Sequence, residues 1–141
     1  MTPQVAAALI RAAQDARLHA YAPYSGYYVG AALLTEDDRV YLGCNIENAS
    51  YGITNCAERT ALFNAVSEGE RSFRAIAIVG SPQDTDPKDA PDYAYPCGAC
   101  RQALSEFCGP DFLVVAAKSV TDYEVYSLGE LMPKGFGAGM L

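Results

Sequence analysis

Asn55-Cys56-Ala57-Glu58-Arg59 is answered further along the chain by Pro96-Cys97-Gly98-Ala99-Cys100, and the fold is read outward from these two segments. Cys56, Cys97 and Cys100 offer three thiolates, which bind zinc well and leave one tetrahedral position open. A Cys-x-x-Cys pair alone is shared with redox dithiols and structural zinc ribbons. The third cysteine, two residues before a glutamate, narrows the choice. Glu58 cannot easily bind the same ion as Cys56, so it stands ready to move a proton beside the metal, where a surface helix carboxylate is the plainer alternative. A closed structural site would need a fourth protein ligand. Cys44, Cys108 and His19 are the spare candidates, and none sits at a knuckle-like spacing from Cys56.

Cys56 and Cys97 each fall at a predicted helix start, where free N–H groups and the positive end of the helix dipole favour thiolates. Three thiolates on one divalent ion still leave a net negative charge, which opposes ionising a bound water. A cation is therefore expected at the sulfurs. Arg59 and Arg101 are the candidates, with Arg59 preferred to act from behind the ligands.

Around these motifs the pattern alternates between helix and strand. Thr2-Pro3 starts a helix that runs to about residue 20, with Val5, Leu9, Ala12, Ala13 and Ala16 on one face. His19, near its end, reads as a surface histidine whose position suits a cation. Tyr27 to Leu34 and Val40 to Cys44 form a hairpin around Glu36-Asp37-Asp38, and small residues in the first strand let a helix pack closely. Cys44 is expected to be a buried small hydrophobe. Asn45 to Gly52 is a polar loop, either a hydrogen-bonded turn or the wall for a hydroxylated substrate; its place just before Cys56 favours the wall. A helix from Cys56 to about Glu68 follows, with Ala57, Ala61, Leu62, Ala65 and Val66 on one stripe, then a buried strand from Phe73 to Gly80. Residues 81–95 read as a long exposed loop. After it come a helix from 97 to about 107, strands at Asp111–Ala117 and Tyr123–Tyr126, a short helix at Ser127–Leu131 and a glycine-rich tail. This order gives a sheet that is parallel in part, with helices packed on it.

The chain of 141 residues is expected to form one domain, residues 1–141, with half its residues hydrophobic and 19% charged. Seventeen acids against ten bases give a net charge of −7. A long phosphate backbone would be repelled, so a nucleic-acid polymer is a disfavoured partner. No basic-then-apolar leader and no membrane-length apolar run is present, so a soluble, cytoplasmic protein with no membrane partner is expected. Five cysteines, an odd number, fit metal ligation in a reducing compartment better than a disulfide framework.

At these residues the chain resembles the small, homotetrameric cytidine deaminase family. The likeness rests on Tyr21-Ala-Pro-Tyr-Ser25, Val29-Gly-Ala-Ala-Leu33, Gly43-Cys-Asn-Ile-Glu-Asn-Ala-Ser-Tyr51, Asn55-Cys-Ala-Glu-Arg-Thr-Ala61, Pro96-Cys-Gly-Ala-Cys-Arg-Gln102 and Glu130-Leu-Met-Pro133 followed by Phe136. The resemblance implies a three-layer α/β/α sandwich around a mixed five-stranded sheet. It implies zinc-dependent hydrolytic deamination of cytidine and 2′-deoxycytidine to the uridines, in pyrimidine salvage. Cys56, Cys97 and Cys100 would hold one zinc per chain, and Glu58 would protonate ring N3 and later the amine. Asn45 and Glu47 would meet the ribose 3′-hydroxyl, and the backbone around Ala57 the pyrimidine carbonyl. Ala49, Tyr51 and Phe136 would complete pockets across a homotetramer. Tyr27 replaces the family's usual base-stacking phenylalanine, and residues 81–95 are longer than the family pattern; both bear on which substituted cytosines fit. A deaminase of a modified nucleoside such as blasticidin S is the enzymatic alternative, and a zinc-stabilised binding module the non-enzymatic one.

Overall fold

A computed structural model describes residues 1–141. Helix α1 spans Pro3–Arg17, capped by the Thr2 hydroxyl accepting from the Val5 N–H. Strands β1 (Tyr27–Thr35) and β2 (Val40–Cys44) form the expected hairpin. They are followed by α2 (Ala57–Ser67), β3 (Phe73–Pro82), α3 (Gly98–Phe107), β4 (Leu113–Ala117), β5 (Tyr123–Ser127) and α4 (Leu128–Leu131). Short 3-10 turns lie at Tyr51–Ile53 and in the tail at Ala138–Met140.

One mixed sheet has the order β2-β1-β3-β4-β5, parallel only between β3 and β4. Because β2 and β3 both run antiparallel to the β1 between them, they point the same way. Helix α2 therefore crosses over β1 to join β2 to β3, and α3 crosses from β3 to β4. Both crossovers leave from carboxyl ends of strands, so the amino ends of α2 and α3 arrive at the same edge of the sheet. That topology brings the two cysteine segments together.

Alternate side chains serve opposite faces, as a pleated strand requires. Ala31, Leu33, Ile76, Ile78 and Val114 pack with Ala57, Ala61, Leu62, Ala65 and Leu104 on the α2–α3 side. Ala32, Leu34, Ala75, Ala77, Val79 and Val115 pack with Leu9, Ile10 and Ala13 of α1 on the other. Two glycines set the spacing of these layers. A Cβ on Gly30 would lie 2.0 Å from the Ala13 carbonyl oxygen, and one on Gly43 would lie 2.3 Å from the Ala61 nitrogen and 2.4 Å from the Ala57 oxygen. Each helix rests directly on bare strand backbone.

Four details depart from the sequence reading. The buried face of α1 includes Ala6 and Ile10, while Val5 and Ala12 sit at its margins. Arg17 is also buried at 4% exposure, its guanidinium donating to the Tyr28, Ser81 and Pro82 carbonyls and to the Ser81 hydroxyl. Residues 81 and 82 belong to β3 and not to the long loop, because this arginine and the pairing with Tyr27 and Tyr28 hold them in the sheet. Cys44 is only half buried, since β2 is an edge strand.

Candidate active site

Cys56 is the N-cap of α2, Cys97 the N-cap of α3, and Cys100 lies fully buried in the first turn of α3. Their sulfurs converge: Cys56 and Cys97 are 3.9 Å apart, Cys97 and Cys100 3.5 Å, and all three lie within 4.8 Å of one another. Thiolates about 2.3 Å from one tetrahedral zinc sit about 3.8 Å from each other, so the triangle matches a single ion. No fourth histidine, cysteine or carboxylate joins the group. His19 is exposed beyond α1, Cys44 ends the edge strand, and Cys108 is buried past α3 with its thiol pushed up to about 12 by burial. Three protein ligands with an open position is the pattern of a catalytic site rather than a structural one.

The surrounding charge favours anionic sulfur. Arg59 Nη2 donates to the Cys56 sulfur at 3.3 Å. The Cys56 thiol is held down at about 5, chiefly by the hydrogen bond from Cys100 and then by Arg59, against the opposing cost of burial. Cys100, buried and donating to Cys56, is pushed up. Arg101 takes no part: its guanidinium donates to the Pro96 carbonyl at 2.8 Å and the Leu131 carbonyl at 2.9 Å, tying the entry of α3 to α4.

Glu58, in the first turn of α2, is 4% exposed. Burial pushes its carboxyl up to about 7, and the Cys56 charge adds to the rise, while its own backbone N–H and the Cys100 thiol pull the other way. A carboxyl that changes protonation near neutral pH is suited to both taking and returning a proton.

A cavity of about 430 Å³ opens over these groups, lined by Cys56, Ala57, Glu58 and Cys97 on one side and by Tyr27, Asn45 and Glu47 on another. The polar loop reaches the metal motif through a two-way backbone bridge between Ile46 and Asn55, both bonds 2.9 Å. The Asn45 carboxamide accepts from the Val29 N–H at 2.9 Å and donates to the Tyr27 carbonyl at 2.8 Å. The Glu47 carboxylate accepts from the backbone N–H groups of Tyr24 and Ser25 and from the Ser25 hydroxyl. Ala49, Tyr51 and Phe136 stay outside this cavity, all exposed, so within one chain they do not join the other predicted binding residues. Sequence reasoning missed Tyr93 and Tyr95, which come from the long loop to complete the wall. Their hydroxyls donate to Asp122, just before β5, and to Glu124 within it, and the Ala90 N–H donates to the Lys118 carbonyl, so the second half of the loop is docked against the β4–β5 hairpin. The only sequence signal was two tyrosines in an otherwise polar loop.

The comparisons agree with this geometry. Residues 3–116 match the family described as the cytidine and deoxycytidylate deaminase zinc-binding region. The chain is 48% identical over 128 residues to a cytidine deaminase of Sporosarcina psychrophila, covering 91% of this chain and 88% of that one. It is 49% identical over 130 residues to the cytidine deaminase of Halalkalibacterium halodurans, covering 92% of each. The crystal structure of cytidine deaminase from Burkholderia pseudomallei superposes with a TM-score of 0.83 at 49% identity, covering 96% of this chain and all of that one. A blasticidin-S deaminase of Bacillus cereus matches less well, at 30% over 89 residues, covering 63% of this chain and 64% of that one.

Proposed function

The chain belongs to the cytidine and deoxycytidylate deaminases, a zinc-dependent family, and we propose that it hydrolyses the exocyclic amine of free cytidine and 2′-deoxycytidine, releasing ammonia and the uridines. The observation that carries this reading is the zinc-sized triangle of Cys56, Cys97 and Cys100 with the buried Glu58 carboxyl beside it, in a cavity that also holds Asn45 and Glu47.

Cys56, Cys97 and Cys100 are the residues that would hold zinc. When bound, the ion supplies a water ionised near neutral pH as the nucleophile. The chain's own residues do the rest. Glu58 takes one proton from the nucleophile and gives it to ring N3, then takes a second from the hydroxyl newly joined to the ring carbon and delivers that one to the departing amine, which leaves as ammonia. Arg59 balances the excess negative charge of the sulfurs. Asn45 and Glu47 receive the sugar hydroxyls, the Ala57 backbone receives the pyrimidine carbonyl, and Tyr27 flanks the base. The docked 83–96 loop keeps bulk water from that side of the cavity.

The assembly belongs to the same proposal. Exposed apolar residues Tyr21, Tyr24, Tyr51, Ile53 and Phe136 support a homotetramer in which Ala49, Tyr51 and Phe136 complete a neighbour's pocket. No helix is long and apolar enough to cross a membrane, and all five cysteines are unpaired, which supports the cytoplasm as its compartment. A modified nucleoside such as blasticidin S is a weaker reading, because the Asn45–Glu47 pair suits a free ribose.

The test is turnover of cytidine and blasticidin S, side by side, in zinc-stripped and zinc-reloaded protein. Zinc-dependent release of ammonia from cytidine with the higher kcat/KM supports the reading. Zinc-loaded protein inactive on cytidine overturns it.

A further inference from the structure

The segment Tyr21–Ser25 is not used by the chemistry above, yet its last residue stands between two walls of the cavity. The Ser25 hydroxyl donates to Glu47 Oε2 and accepts from the Tyr27 N–H at 3.0 Å. Glu47 Oε1 is taken by the backbone N–H groups of Tyr24 at 2.9 Å and Ser25 at 3.1 Å. A carboxylate offers about four acceptor sites, so three donors fix its plane and leave room for a further one. On the other side of Tyr27, its carbonyl is held by the Asn45 carboxamide at 2.8 Å. The backbone of Tyr27 is thus gripped at both its N–H and its C=O by the two residues assigned to the sugar, one directly and one through Ser25.

We propose that Ser25 is a positioning residue for the sugar half of the substrate: its hydroxyl orients the Glu47 carboxylate toward a sugar hydroxyl and links that carboxylate to Tyr27 beside the base. The proposal rests on the nucleoside reading above. The hydrogen bonds that Ser25 and the Tyr24–Ser25 backbone give to Glu47 hold its carboxylate ionised, and therefore able only to accept. The partner it selects is a hydroxyl donor. A sugar lacking that hydroxyl leaves the arrangement without a task.

The experiment uses zinc-loaded full-length chain, comparing wild type with Ser25→Ala and Ser25→Thr on cytidine and on 2′,3′-dideoxycytidine. Where turnover of the dideoxynucleoside is too slow, its competitive inhibition constant replaces kcat/KM. Ser25→Ala is expected to lose about tenfold in kcat/KM on cytidine, carried mainly by KM, the scale of one hydrogen bond to a charged group. It should lose no more than about twofold on the dideoxynucleoside, bind one zinc, and be restored by threonine, which keeps the hydroxyl. An equal loss on both substrates, or no loss on cytidine, overturns the proposal while leaving the nucleoside reading intact. Wild-type protein that carries zinc but leaves cytidine untouched overturns both.

Discussion

Arg59 Nη2 lies 3.3 Å from the Cys56 sulfur, reached across one turn of α2. The contact answers the charge problem set by the ligand set, because three thiolates outweigh one divalent ion and a nearby guanidinium restores balance. Replacing Arg59 by alanine is expected to keep the fold and lower zinc affinity or kcat by about 10- to 100-fold, the usual effect of losing a residue that supports metal ligands. Metal content and steady-state rates on the same sample check it; unchanged values for both would remove Arg59 from the mechanism.

Glu58 tests the proton-transfer role separately from metal binding. Glu58→Gln retains the size and hydrogen-bonding shape of the side chain but cannot carry a proton between atoms. The expected result is zinc at wild-type stoichiometry with kcat down by about 10²- to 10⁴-fold. If zinc is lost together with activity, the carboxyl serves the metal site rather than the chemistry. Full retained activity would falsify its role as the proton carrier.

Gly43 tests whether the site depends on how closely α2 lies against β2. An alanine methyl would meet backbone atoms of Ala57 and Ala61 at 2.4 Å and 2.3 Å, and neither can swing aside as a side chain would. Helix α2 must shift as a body, carrying Glu58 and the Cys56 end with it. Gly43→Ala is expected to cost about 3 kcal/mol or more, the upper range for overpacking. That is a fall of about 10 °C in Tm, with weaker zinc binding alongside. A melt and a zinc titration together check it; a wild-type Tm would show that the layers have slack.

The parts of this architecture legible in the sequence were those set by local spacing. Cys56 and Glu58 share one turn, Cys97 and Cys100 another, and both cysteine N-caps follow from where helices can start. The strands were legible because a short, near-continuous apolar run is written residue by residue, as in Tyr27–Leu34, and the strand is indeed buried on both faces from Gly30 to Thr35. What escaped was decided by distant partners. Arg101 and Arg59 look alike beside their cysteines, yet one reaches carbonyls of Pro96 and Leu131 and the other a sulfur. Pro82 reads as a strand breaker but closes β3, where a missing N–H at the strand's last residue costs little. Tyr93 and Tyr95 enter the cavity wall only because Asp122 and Glu124, from another part of the chain, receive their hydroxyls.

Glu47 gives a pH signature that involves neither the sulfurs nor Glu58. The Ser25 hydroxyl, against the opposing cost of burial and helped by the backbone N–H groups of Ser25 and Tyr24, holds its carboxyl below the ordinary 4.5. A carboxylate depressed in the folded state contributes stability above its unfolded value and loses it as pH falls through the folded one. The Tm difference between wild type and Glu47→Gln should therefore favour wild type and stay level from about pH 7 to 5.5, then shrink below about pH 4.5. The side chain is too solvated for a large effect, so the diagnostic is the shape of the curve and not its height. Were the difference to grow on acidification, the carboxyl would be protonated in the folded chain, and the Tyr24–Ser25 turn would not be holding an anion.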